Sequence, residues 1–174
     1  MQIVYLVAQL KMHAETIHTL VSDISELQAA WKPTPQQWSI LEVINHLFDE
    51  EVEDFKTHLD FILTQKEEPW PRIDPEGWVT QRQYNQRQIS HSLASFLQAR
   101  DNSLKWLSAL KSPDWNAVYQ LPFGPITAGD MAAAWVGHDL LHIRQLVELH
   151  WAAAARDTAP YRLDYAGSWD EKDN

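Results

Sequence analysis

A chain of 174 residues with 45% apolar content is one domain's worth of sequence, large enough for a substantial core. Its 14 lysines and arginines against 24 aspartates and glutamates leave a net charge of −10, and without a basic cluster neither nucleic acid nor an anionic membrane surface is an expected partner. Cysteine is absent, which excludes disulfides, zinc–thiolate sites and cysteine nucleophiles.

Met1 opens directly into periodic sequence. No basic, apolar, small-residue leader precedes it and no run approaches a membrane span, so a cytoplasmic location is expected. Ile3, Leu6, Leu10, His13, Ile17, Leu20, Ile24 and Leu27 recur at steps of three and four, which predicts a first helix with a bundle-type seam. His13 lies on that seam. It reads either as a half-buried histidine bonded to a carbonyl or water, or as a residue facing a pocket.

Lys32-Pro33-Thr34-Pro35 cannot continue a helix. The second helix starts at Ser39-Ile40-Leu41-Glu42, a capping box with Trp38 and Val43 placed as a staple. Ile40, Val43, Ile44, Leu47, Phe55, Leu59 and Ile62 form its apolar face. His46 falls just past the edge of that face. On position alone, a surface histidine is the commoner reading. Asp49, Glu50, Glu51, Glu53 and Asp54 read by default as a solvated acidic face.

Residues 66–78, with three prolines and Gly77, form a long crossover. The spacing then predicts a third helix from about Thr80, where Thr80-Gln81-Arg82-Gln83 offers a capping box, through Ile89, Leu93, Phe96, Leu97, Leu104, Leu107 and Leu110. His91 is off the stripe. A second break follows from Lys111 to Pro125, with Val118–Leu121 expected to be briefly extended. The fourth helix opens at Thr127-Ala128-Gly129-Asp130, and its apolar residues run nearly all the way round. Such a helix is central or covered by a partner subunit. With nine tryptophans, several of them candidates for a pocket or interface, a homodimer is expected.

That fourth helix carries Trp135-Val136-Gly137-His138-Asp139-Leu140-Leu141-His142-Ile143-Arg144-Gln145. Histidines four apart stack on one helical face. At about 100° per residue, Met131, Trp135, His138, His142, Gln145 and Leu149 share one stripe. Buried imidazoles need partners for their ring nitrogens, and a metal ion is one such partner. A zincin motif would put Glu directly after the first histidine, whereas Asp139 stands there and points about 100° away. A di-iron bundle needs Glu-x-x-His on two helices, and Glu15-Thr16-Ile17-His18 has no second copy.

Trp38 through Glu51, taken with Phe123-Gly124-Pro125-Ile126-Thr127-Ala128-Gly129-Asp130 and His138 through Leu146, resembles the helix 2 and helix 4 motifs of the DinB/YfiT superfamily. The resemblance covers residues 1–155. It implies an all-α fold: a four-helix bundle, up-up-down-down, with the long crossover between helices 2 and 3. Residues 156–174 would then be an acidic, loose tail. It also implies a divalent metal held by His46, His138 and His142, with Zn, Ni and Fe all acceptable to imidazole. Three imidazoles leave coordination positions open, the pattern of a catalytic site. Relatives include metal-using transferases, isomerases and hydrolases acting on small-molecule substrates, several with a low-molecular-weight thiol as cosubstrate.

Hydrolysis and thiol transfer are equally open on this reading. So is the alternative of a non-catalytic metal- or ligand-binding protein of stress response. Around the ligands, Glu50 is the candidate base or ligand-orienting carboxylate, one turn on from His46, with a surface carboxylate as its other reading. Trp135, His13 and Gln145 are the candidate pocket residues, although Trp135 could equally be ordinary core.

Overall fold

The computed structural model describes residues 1–122, 124–167 and 169. Phe123 of the motif before the fourth helix lies outside them, as do Ser168 and the acidic end of the expected tail, 170–174. The architecture is the expected bundle. Helix α1 spans Ile3–Val21, followed by the short α2, Glu26–Ala30. Next come α3 (Ile40–Asp49), a π-helical segment Glu50–Phe55 and α4 (Lys56–Leu63), which join with helical dihedrals throughout and make one rod. Then follow α5 (Pro75–Gln81), α6 (Ile89–Ala109), the strands β1 (Val118–Leu121) and β2 (Gly124–Thr127), and α7 (Ala128–Asp157). Helix α1 packs on α6 and α7, and the α3–α4 rod packs on the same two from the other side. None of the described helices is long and apolar enough to cross a membrane.

Local chemistry sets most boundaries. Ser39 Oγ accepts from the Glu42 N–H while the Glu42 carboxylate accepts from the Ser39 N–H. Thr127 and Asp130 repeat that reciprocal pairing at the start of α7. Both boxes satisfy backbone donors that the first helical turn leaves without partners.

Several expectations need correcting. The first seam does not run to Leu27. Helix α1 stops at Val21, Ser25 caps a separate short helix, and Leu27 is exposed. The third helix does not start at Thr80. Asp74 and Pro75 start α5 earlier, with the Asp74 carboxylate accepting from the Gly77 N–H. Thr80 sits near its end, Gln83 turns the chain at φ 51°, and α6 begins only at Ile89. The brief extension at Val118–Leu121 is half of an antiparallel hairpin, with Val118 opposite Thr127 and Leu121 opposite Gly124. Gly124 takes φ 134° at the turn, a conformation that L side chains resist. At the far end, α7 runs two residues past the expected limit of 155, and the Trp169 ring comes back to 5.5 Å from that of Trp151.

The acidic face after His46 is mostly not solvated, with Glu53 alone of the five partly exposed. Asp49, Glu50, Glu51 and Asp54 are all buried. The wider π turn carries an extra residue, which lets carboxylates reach inward where cations and donors meet them.

Apolar packing divides the core in two. One cluster gathers Ile17, Val43, Leu47, Phe96 and Leu146; the other gathers Leu10, Phe55, Leu59, Leu107 and Trp135. Between them, every long helix contributes buried polar groups: His13 from α1, His46 and Glu51 from the rod, Arg100 and Ser103 from α6, and Asp139 from α7. This polar layer crosses the waist of the bundle, and the candidate site lies in it.

Candidate metal centre

The α3 helix places His46 and α7 places His138 and His142, one turn apart. His46 Nε2 is 3.2 Å from His138 Nε2, and His142 Nε2 is 3.1 Å from the same atom. Among the described residues, the donors of these three imidazoles lie within 4.8 Å of one another, and no carboxylate joins the group. His46, read on position alone as a surface residue, is 5% exposed.

Aromatic rings close the site. Trp38 lies parallel to His142 at 6.4 Å and 4.9 Å from His46, while Phe55 is 4.8 Å from His138. The removal of water has an electrostatic consequence. Burial, reinforced by the neighbouring imidazoles, pushes His46 down to about 2. Burial and His142 push His138 down to about 4. His142 is lowered too, by burial, against an opposing hydrogen bond from Gln145. All three rings are neutral at pH 7, the form that ligates metal.

A divalent ion fits these residues. His142 Nδ1 donates to Gln145 Oε1 at 2.8 Å, which leaves its Nε2 as a lone pair aimed inward. His138 Nε2 has two imidazole nitrogens against it, and a neutral ring has one proton to share. At least one inward lone pair therefore lacks a protein donor. A cation is the partner that satisfies all three, and a ligand set of three histidines leaves positions for water or substrate. A cavity of about 400 Å³ opens beside His142, walled by Trp38, Gln145, Gln36, Gln37 and Leu149. A larger groove of about 1040 Å³ runs between α1 and α6 and touches none of the three imidazoles.

The remaining sequence candidates separate. Gln145 orients His142 and lines the cavity. Glu50 is buried one turn after His46, outside the donor cluster, with Oε1 lacking a hydrogen-bond partner. Burial, then the hydrogen bond and charge of Asp54, push its carboxyl up to about 9, so near neutrality it holds a proton. Trp135 is fully buried, stacks on Phe55 and donates its indole N–H to Glu51 at 3.0 Å, which makes it a wall behind His138. His13 is not among the metal donors. Its Nδ1 faces Asp139 at 3.2 Å in the other half of the polar layer. Asp139 itself points away from the histidine stripe, as its position predicts, and takes both ends of the Arg100 guanidinium.

Sequence reasoning missed Trp38 as a site residue and missed Arg100 altogether. Arg100 had a signal: it falls on the apolar stripe of α6, between Phe96 and Leu107, where a charge needs an explanation.

The comparisons agree with this architecture. Among solved structures, YfiT from Bacillus subtilis superposes with a TM-score of 0.75 at 20% identity, covering 88% of this chain and 88% of that one. YfiT is described as a probable metal-dependent hydrolase with an unusual four-helix bundle topology. At that identity the likeness carries the fold. No curated protein matches the chain. The family model of the DinB superfamily matches residues 9–146, most of the sequence, and the chain therefore belongs to the DinB superfamily.

Proposed function

We propose that this protein is a divalent-metal-dependent hydrolase acting on a small molecule, with His46, His138 and His142 as the ligands. The observation that carries the reading is the convergence of three neutral Nε2 atoms, one on a buried and two on half-buried imidazoles, beside an open cavity. The description of YfiT as a probable metal-dependent hydrolase supports it by analogy of fold. An ion held there supplies a Lewis acid that makes water nucleophilic near neutral pH. The chain's own groups do the rest. Gln145 fixes the tautomer and tilt of His142. Trp38 and Phe55 keep bulk water from the imidazoles. Glu50 holds a proton in the buried stretch one turn after His46 and puts no second negative charge beside Asp54.

The test is elemental mass spectrometry on untagged protein, wild type beside His46→Ala, His138→Ala and His142→Ala. About one equivalent of metal in the wild type and its loss in each variant is the expected result. A wild type that refuses added zinc and nickel sinks the proposal. A screen of ester, amide and thiol-transfer substrates on the loaded protein follows. Turnover by thiol transfer alone would replace the hydrolase assignment, and a loaded protein inert to every substrate would leave a metal-binding module.

A further inference from the structure

The polar layer has a second half, and one residue links it to both ligand-bearing elements. Arg100 projects from α6 into the middle of the bundle and is 2% exposed. Its Nη1 and Nη2 donate to the two oxygens of Asp139, at 2.6 and 2.8 Å. Nη2 also reaches Glu51 Oε2 at 2.8 Å, and Nη1 donates to the Leu10 carbonyl on α1 at 3.0 Å. Glu51 in turn accepts from the Trp135 indole at 3.0 Å. All four long helices therefore meet on one guanidinium.

The placement of the two carboxylates gives this knot a consequence for the metal centre. Asp139 directly follows the ligand His138 in α7. Glu51 follows the ligand His46 by five residues, inside the π segment that continues α3. The two carboxylates repel, and the elements bearing them must be close for the imidazoles to meet. A planar cation with a fixed fork holds both at set distances. We infer that Arg100 is the positioning residue of the metal centre, a strut that sets the distance and rotation between the rod carrying His46 and the helix carrying His138 and His142.

The inference rests on the metal-binding reading above. It adds that the geometry of the ligand set is fixed from the far side of α7 by a residue that touches no ligand. A fully buried ion pair is a costly way to stabilise a core, and well-packed apolar residues often do as well or better. The strut explains what the pair contributes beyond stability: register between two helices that share one ion.

The experiment uses cobalt(II) as probe, with affinity from chelator competition and geometry from the visible d–d bands. Metal-free thermal stability is measured alongside. Arg100→Lys keeps the charge and loses the fork. A compensated variant, Glu51→Gln with Arg100→Met, Asp139→Leu and His13→Leu, leaves neither a carboxylate nor the imidazole that faces Asp139 unpaired and keeps a carbonyl for the Trp135 N–H. Both are expected to bind cobalt about ten- to a hundredfold more weakly, with shifted or weakened d–d bands. The compensated variant should do so while its metal-free form melts near the wild-type temperature. Wild-type affinity and spectrum in either folded variant overturn the strut. So does an affinity loss that tracks metal-free stability while the spectrum is unchanged, since that marks a merely structural pair. Should the compensated variant fail to fold, Arg100→Lys decides alone. A wild type that takes no cobalt defeats the metal reading first and the strut with it.

Discussion

Glu50 carries a proton at neutral pH because burial and the carboxylate of Asp54 make its charged form costly. The sign of the linkage follows. Its value in the folded protein is raised above the ordinary 4.5 to about 9, so the stability it contributes is whole below the ordinary value and is lost as pH rises through about 9. Glu50→Gln removes that loss. The metal-free variant is expected to be more stable than the wild type by about 1–3 kcal/mol at pH 8 and nearly equal at pH 5. Urea unfolding at the two pH values checks this, and an equal difference at both would refute it. The residues of the site differ in how legible they were. His138 and His142 announced themselves by spacing. His46 came only from a resemblance, since its burial depends on α7 and Trp38 closing over it. Asp49 and Glu51 were misread as solvated because their partners, Tyr84, Arg82 and Arg100, arrive from distant parts of the chain, whereas Asp54 pairs with His58 one turn on, a spacing the sequence did show.

At the scale of elements, the two capping boxes are separable contributions to stability. Thr127 caps α7 at an exposed corner, whereas Ser39 is fully buried and its hydroxyl also donates to Asn85 at 2.6 Å. Thr127→Ala is expected to cost about 1 kcal/mol and Ser39→Ala up to about 2 kcal/mol, read from shifts in the urea midpoint. Equal costs would mean that the tie to Asn85 contributes nothing. Both boxes could be read from four consecutive letters. The π segment left a subtler trace: the apolar seam takes a step of eight, from Leu47 to Phe55, where a step of about seven keeps an α-helical face in line. The stretch that accommodates the extra residue is the one that buries Glu50, Glu51 and Asp54. The start of α6 was misplaced for a different reason. Thr80-Gln81-Arg82-Gln83 satisfies a capping pattern, but Asp74 and Pro75 had already begun a helix, and a pattern does not show which of two starts wins.

For the whole molecule, binding of an ion by the folded state alone raises stability by mass action. Free zinc or nickel at a hundredfold excess over its dissociation constant is worth about 2.7 kcal/mol, or roughly 5–10 °C in melting temperature for a chain of this size. His142→Ala should melt at the same temperature with and without metal in differential scanning fluorimetry. The bundle was legible from helical periodicity, while its polar waist was not, because the waist is assembled from single interruptions on four separate seams. That waist also shapes the thermochemistry of ion capture. Free histidines near pH 6 must shed protons before they can ligate, and solution calorimetry then records the heat of the buffer that takes them up. Here burial holds His46, His138 and His142 below the ordinary histidine range, His46 and His138 far below it. At pH 6 the ligands therefore have fewer protons to release than three free histidines, so the measured enthalpy of metal binding is expected to differ less between two non-coordinating buffers of different ionisation enthalpy than it does when free imidazole captures the same ion. An ion captured here displaces fewer protons than one gathered by free imidazoles.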